Sequence, residues 1–154
     1  MGQYHIIVNI DKNEFLDPVK FGDDQKILAF GQSRNGTLLA LTALLAESNG
    51  RGGGDICSDD PLIGSWAGDR IMISGDYADT QPFLTDREIK SYRKKAIKEA
   101  LAEGDTRYVK NLETNEINLY MICSMKGSRF KNISNKIRKV LKEADVEIGE
   151  PEKY

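Results

Sequence analysis

RYVKNLETNEINLYMICS, residues 107–124, is the stretch on which the fold class turns. Two runs rich in β-branched and aromatic residues, RYVKNL (107–112) and EINLYMICS (116–124), flank Glu113, Thr114 and Asn115. That arrangement predicts a hairpin. The second run sets Ile117, Leu119 and Met121 against Asn118, Tyr120 and Ile122. The alternation is imperfect, so this strand is expected to be covered on both faces.

A related pattern opens the chain. QYHIIVNI (3–10) is β-rich, Asp11, Lys12 and Asn13 supply turn chemistry, and EFLDP (14–18) resumes an extended run that Pro18 ends. RIMISGDY (70–77) is a fifth short strand, and KILAF (26–30) fits either a strand or a helix end. Helices follow from periodicity and caps. TLLALTALLAE (37–47) is apolar nearly all round, which predicts a buried helix ended by Gly50 and the glycines after it. In TDREIKSYRKKAIKEALAEG (85–104), Thr85 and Glu88 form a capping box, and Ile89, Tyr92, Ala96, Ile97, Ala100 and Leu101 share a stripe. Gly104 stops that helix. ISNKIRKVLKEADV (133–146) is the third, with Ser134 as N-cap and Ile137, Val140, Leu141 and Ala144 toward the core.

The expected class is therefore α+β: a mostly antiparallel sheet of about five strands, two hairpins included, packed with three helices. Helix 37–47 should lie buried across one sheet face. Residues 1–148 are expected to form one globular domain, and the polar tail 149–154 to fray.

Composition narrows the setting. Hydrophobic residues at 40% and charged residues at 30% describe a soluble globular chain. No apolar run approaches the roughly 20 residues of a membrane span. Ile6, Ile7 and Val8 are too few for a signal peptide, and Ile6 stands where a myristoylation pattern needs Ser or Thr. The expected location is the cytoplasm, with no membrane partner. Cys57 and Cys123 lie far apart and should be free, reduced thiols; with His5 as the only histidine they make no Cys/His zinc site. Residues 1–84 carry six basic and twelve acidic side chains, a net of −6. Residues 85–154 carry sixteen and twelve, a net of +4. Such asymmetry marks either an anionic partner for the basic half or attraction between the halves, within one chain or between copies.

Two loops carry candidate chemistry. In GQSRNGTLLAL (31–41) a polar loop enters a helix, whose N-terminus suits an anion, with Arg34 and Asn35 beside it. It is no Walker A loop, because Thr37 and Leu38 follow Gly36 in place of Lys and Ser/Thr. Capping by Ser33 or Asn35 is the competing reading. The stretch SNGRGGGDICSDDPLIGSWAGDR (48–70) holds six of the 14 glycines, the only tryptophan and four aspartates. Arg51 and the amides of Gly52, Gly53 and Gly54 can wrap an anion as a nest, Trp66 can stack on a ring or plug the core, and Arg70 completes the candidate ligand set. Alternatively Asp55, Asp69 and Asp76 bind Mg²⁺ or Ca²⁺ through oxygen.

GQYHIIVNIDKNEFLDPVKFGD, GRGGGD and GSWAGDRIMISGDYAD together resemble a family of small bacterial and phage proteins to which no activity attaches. The resemblance spans roughly residues 2–80. FKNISNKIRKVLKEA resembles the ending of relatives with a WAGDRI segment, with Asn132 where Asp is expected. It implies that residues 51–55 and 64–79 form one structural unit, and it transfers no catalytic role.

The basic residues of 126–142 and of helix 85–104 are expected to be solvated helix faces, and nucleic acid is not an expected partner. His5, in a strand, is expected to be structural, which argues against a Ser-His-Asp or Cys-His site. The leading expectation is a non-catalytic binding protein for a small anionic ligand, most concretely a nucleotide or nucleotide-like signal, which a phage would sequester in host defence. No cofactor is expected. One alternative is a metal-dependent phosphoesterase on Asp55, Asp69 and Asp76. The other is an interaction module that self-associates as a homo-oligomer.

Overall fold

The computed structural model describes residues 2–79 and 82–151. The first hairpin forms where the sequence places it. Strand β1 (His5–Asn9) pairs antiparallel with β2 (Glu14–Leu16), Val8 facing Phe15. Asn9 organises the turn: its Oδ1 accepts the amides of Asp11 (3.0 Å) and Lys12 (2.8 Å). Asn13 then takes the left-handed conformation, which asparagine tolerates better than most residues. Strand β3 (Ile71–Gly75) pairs antiparallel on the other side of β1. A two-residue strand, β4 (Lys131–Asn132), runs parallel to β2, giving the order β3-β1-β2-β4.

Ile6, Ile7 and Val8 are successive and all buried, so β1 is covered on both faces. The sheet is thus the middle of three layers. On the Ile7 face lie α2 (Thr37–Leu45) and α6 (Ser134–Glu143), packed with Phe21, Phe30, Trp66 and Leu141. A 3-10 turn (Pro18–Phe21) and the short α1 (Ile27–Phe30) complete that side. On the Ile6 and Val8 face lie α3 (Asp86–Ala102), α4 (Thr106–Thr114) and α5 (Leu119–Ser124), around Phe15, Leu112, Ile117 and Phe130.

The α+β class stands, but the five-strand, three-helix composition does not. Residues 107–124 form no hairpin; they are α4 and α5. Two side-chain caps decide this. Asp105 Oδ1 accepts the Tyr108 amide (3.0 Å), and Asn118 Oδ1 accepts the Met121 amide (3.1 Å). Val109 and Leu112, one turn apart, then bury together, which β propensity alone would not favour. The sheet has four strands with one parallel pair, and among the described residues six α-helices surround it.

The ends of the other helices also differ from expectation. α2 stops at Leu45, before the glycines, because the chain returns to cap it: the amides of Gly64 and Trp66 bind the carbonyls of Ala43 and Leu44, both at 2.8 Å. Gly64 has φ +77°, and a Cβ there would run into the Ala46 carbonyl oxygen. Nor is α2 buried all round. Thr37, Ala40, Ala43 and Leu44 face the sheet, while Leu38, Leu39 and Leu45 stay more than a third exposed, since no further layer covers them. Ser134 is the first residue of α6, not its cap; its buried Oγ accepts the Asp17 amide, and Asn132 Oδ1 accepts the Ser134 amide. The Thr85 cap forms as expected: its Oγ1 accepts the Glu88 amide.

The tail begins tied down. Ile148 is buried, the Gly149 amide donates to Asn35 O, and Glu150 pairs with Arg138 and Lys142. Residues 152–154 of the expected frayed tail lie outside the described residues. The ion pairs Lys12–Asp69, Arg70–Asp11, Arg129–Glu88, Arg138–Glu150 and Lys142–Glu150 each join residues within one half of the chain. No helix among the described residues is long and apolar enough to cross a membrane.

Candidate functional site

The residues expected to hold an anion do not converge. Arg34 is exposed ahead of α2, and Arg51 is exposed beyond its other end. Nine helical residues separate those ends by about 13 Å. Asn35 is structural: its Nδ2 donates to Gly22 O, and its carbonyl holds Gly149. Beside each candidate anion position stands a carboxylate of the chain itself. At the start of α2, Thr37 Oγ1 donates to Asp23 Oδ2 at 2.5 Å, both residues buried. In the glycine loop, Asp55 Oδ2 accepts the amides of Gly50 (3.1 Å) and Arg51 (2.7 Å). Asn49 clasps the same loop through Ile56 and Ser58. At Gly52, Gly53 and Gly54 a Cβ would meet nothing, so the loop arches into open space.

Trp66 is fully buried, and its Nε1 donates to Glu14 Oε1 at 2.8 Å. No ring face is left for stacking; it plugs the core. Arg70 is bound to Asp11 through its backbone amide, Nε and Nη2. Asp69 accepts from Asn9 Nδ2 and Lys12 Nζ, and Asp76 Oδ1 accepts the Tyr4 amide. Asp55, Asp69 and Asp76 are therefore engaged separately. Among the described residues no group of three His, Cys, Asp or Glu side chains is placed to hold a metal.

What the structure does bring together is a charge cluster at the first hairpin turn. Hydrogen bonds from Arg70 hold Asp11 below its ordinary 3.8, and those from Asn9 and then Lys12 do the same for Asp69. Depressed folded values stabilise the fold above 3.8, and the contribution is lost as pH falls through them. Thermal melts between about pH 5 and about pH 2 should show a drop that shrinks in Asp11→Asn and Asp69→Asn.

A further concave feature lies elsewhere, on the face of α3, α4 and α5. A cleft of about 670 Å³ is lined by Tyr77 from the segment after β3, Tyr92 from α3, Tyr108 and Asn111 from α4, and Tyr120 from α5. Its size suits a small molecule. A smaller chamber of about 320 Å³ shares Tyr92, Tyr108 and Ser124 with it and adds Lys95, Lys126, Glu99 and Glu103. Asn118, itself buried, frames the cleft. Its Nδ2 donates to the carbonyls of Asp76 and Ala78, both at 2.9 Å, while its Oδ1 caps α5.

Two of the phenols are held firmly protonated. Burial, with the carboxylates of Asp76 and Asp17 adding to it, pushes Tyr120 up to about 12, and its hydroxyl donates to Gln25 Oε1 at 2.5 Å. Tyr92 is also raised, by burial and by neighbouring Tyr108. The large chamber carries the carboxylates Asp76, Asp79 and Glu116; lysines line the small one. Aromatic faces and hydroxyls thus meet in one chamber, and the adjoining one pairs two lysines with two glutamates.

Sequence reading missed this cleft because it follows from the misassigned stretch. Tyr108, Asn118 and Tyr120 were expected in strands, and Tyr92 in a core stripe. The available signal was Asp105 three residues before Tyr108 and Asn118 three before Met121, the spacing of a helix N-cap. No family model, curated protein or solved structure matches this chain.

Proposed function

We propose that the protein is a non-catalytic binding protein for a small nucleotide-like ligand, held in the tyrosine cleft beside α4 and α5. The observation that carries this reading is the convergence of Tyr77, Tyr92, Tyr108 and Tyr120 on one chamber of ligand size. Phenol faces stack on planar rings whatever their hydrogen-bonding pattern. The acidic side chains of that chamber disfavour an anion there, so the ligand's anionic end points toward Lys95 and Lys126, the cations of the smaller chamber, which they share with Glu99 and Glu103. The lining groups suit binding more than turnover, since the buried tyrosines keep their protons at neutral pH. Sequestration by a phage-borne chain in its host's cytoplasm is the biological form this reading takes.

The hydrolase reading finds no support in the separate placement of Asp55, Asp69 and Asp76. The two basic helices, α3 and α6, lie on opposite sheet faces and do not add into one strip for nucleic acid. The test is equilibrium binding of a nucleoside and nucleotide panel. Tyr108→Ala should weaken binding by about tenfold or more, Lys126→Ala should weaken nucleotides but not nucleosides, and Arg51→Ala should change neither. Loss of binding in Arg51→Ala with Tyr108→Ala unaffected would move the site back to the glycine loop.

A further inference from the structure

Strand β3 stands at one margin of the sheet and, among the described residues, pairs with β1 alone. Hydrogen bonds at its two ends fix where its backbone points. Ile10 N donates to Arg70 O, and Asp76 N to Tyr4 O. With the two-residue period of a strand, residues 70, 72, 74 and 76 turn their backbone groups toward β1, and Ile71, Ile73 and Gly75 turn theirs outward. Ile73 also leaves 48% of its surface exposed, because the α2 and α6 layer does not cover this margin. RIMISGD (70–76) has neither the proline nor the central charge that commonly protects an edge.

The charges sit at the ends, and their spacing is informative. Arg70 and Asp76 are each three residues from Ile73. If two copies pair antiparallel about a two-fold axis at Ile73, each Arg70 lies opposite the partner's Asp76, once at each end of the ribbon. Both side chains leave the same sheet face, in the non-hydrogen-bonded type of pair, where side chains are closest. A slip of two residues removes both ion pairs, and parallel in-register pairing sets like charges together. Arg70 binds Asp11 through Nε and Nη2, with its side chain 72% exposed. Gly75 is buried and its O already accepts from Ala78 N, so the backbone exchange rests on Ile73 with its counterpart, and the two Arg70–Asp76 pairs set the register.

We infer that β3 is a self-pairing edge, and that a second copy of this chain is its partner, in the register that sets Arg70 against Asp76. The inference stands apart from the ligand reading, although Asp76 also lines the cleft and the pairing brings the partner's Arg70 to its rim.

Sedimentation of the full chain tests it. The unaltered protein should dimerise at high micromolar concentration, and Ile73→Lys, at an exposed position that tolerates it, should be monomeric. Arg70→Glu and Asp76→Lys should each weaken the dimer by about tenfold or more, since each sets like charges together at both ends. Mixing those two variants should restore a heterodimer, in which both ends again carry opposite charges. A monomeric unaltered chain, a dimer that persists in Ile73→Lys, or two folded charge variants that fail to associate on mixing would each overturn the proposal.

Discussion

Trp66→Ala is expected to destabilise the protein by about 3–5 kcal/mol, the usual cost of emptying a large aromatic site. That is a large share of the 5–15 kcal/mol that holds a typical domain together. The ring is fully buried among Ile7, Leu44, Leu141 and their neighbours, and its amide caps α2 from across the glycine excursion. Trp66→Phe separates the two contributions. It keeps most of the apolar volume and strands Glu14 without its indole donor, at about 1–2 kcal/mol. Urea unfolding of the three proteins checks this. A stacking platform would behave in the opposite way, with Trp66→Ala folding normally and failing only to bind.

Asn118→Ala should cost about 2–4 kcal/mol, because it strips a donor from the carbonyls of Asp76 and Ala78 and a cap from α5. The cost exceeds that of an ordinary capping change since the residue is buried and its partners lie within the fold. The same substitution frees the segment after β3 from α5, so binding in the cleft should fall with stability. Asn118→Asp should be at least as harmful, as it aims a carboxylate oxygen at two carbonyls. Thermal melts alongside binding measurements distinguish the two effects: a loss of stability with the cleft's affinity intact would detach Asn118 from the site.

The N-terminal hairpin, β3, α3 and α6 were legible because each is set by local signals: turn residues at 11–13, β-branched runs, the Thr85 cap and a 3.6-residue stripe. The part that was not legible turns on competition. Residues 107–112 and 116–124 carry strand-forming side chains, yet Asp105 and Asn118 each satisfy a helix's first amides, and the α3 face offers Val109 and Leu112 a place to bury. Propensity lost to capping and packing. β4 was invisible because two residues hold no periodicity; it exists through amides of Lys131 and Ile133 donating to Asn13 and Phe15. The glycine loop and the start of α2 present amides that suit anions, and what the sequence did not reveal is the nearby carboxylates: Asp55 takes the amides of Gly50 and Arg51, and Asp23 takes the Thr37 hydroxyl. The tyrosines of the cleft, scattered over residues 77–120, become neighbours only once α4 and α5 are helices.

The measurement that bears most directly on the tyrosine cleft is native mass spectrometry of freshly purified protein titrated with nucleotides, followed by denaturing release of whatever is bound. A stoichiometric nucleotide-sized adduct that persists in Arg51→Ala and disappears in folded Tyr108→Ala is the predicted result. An adduct that survives Tyr108→Ala, or a chain that stays bare across the titration, would contradict it.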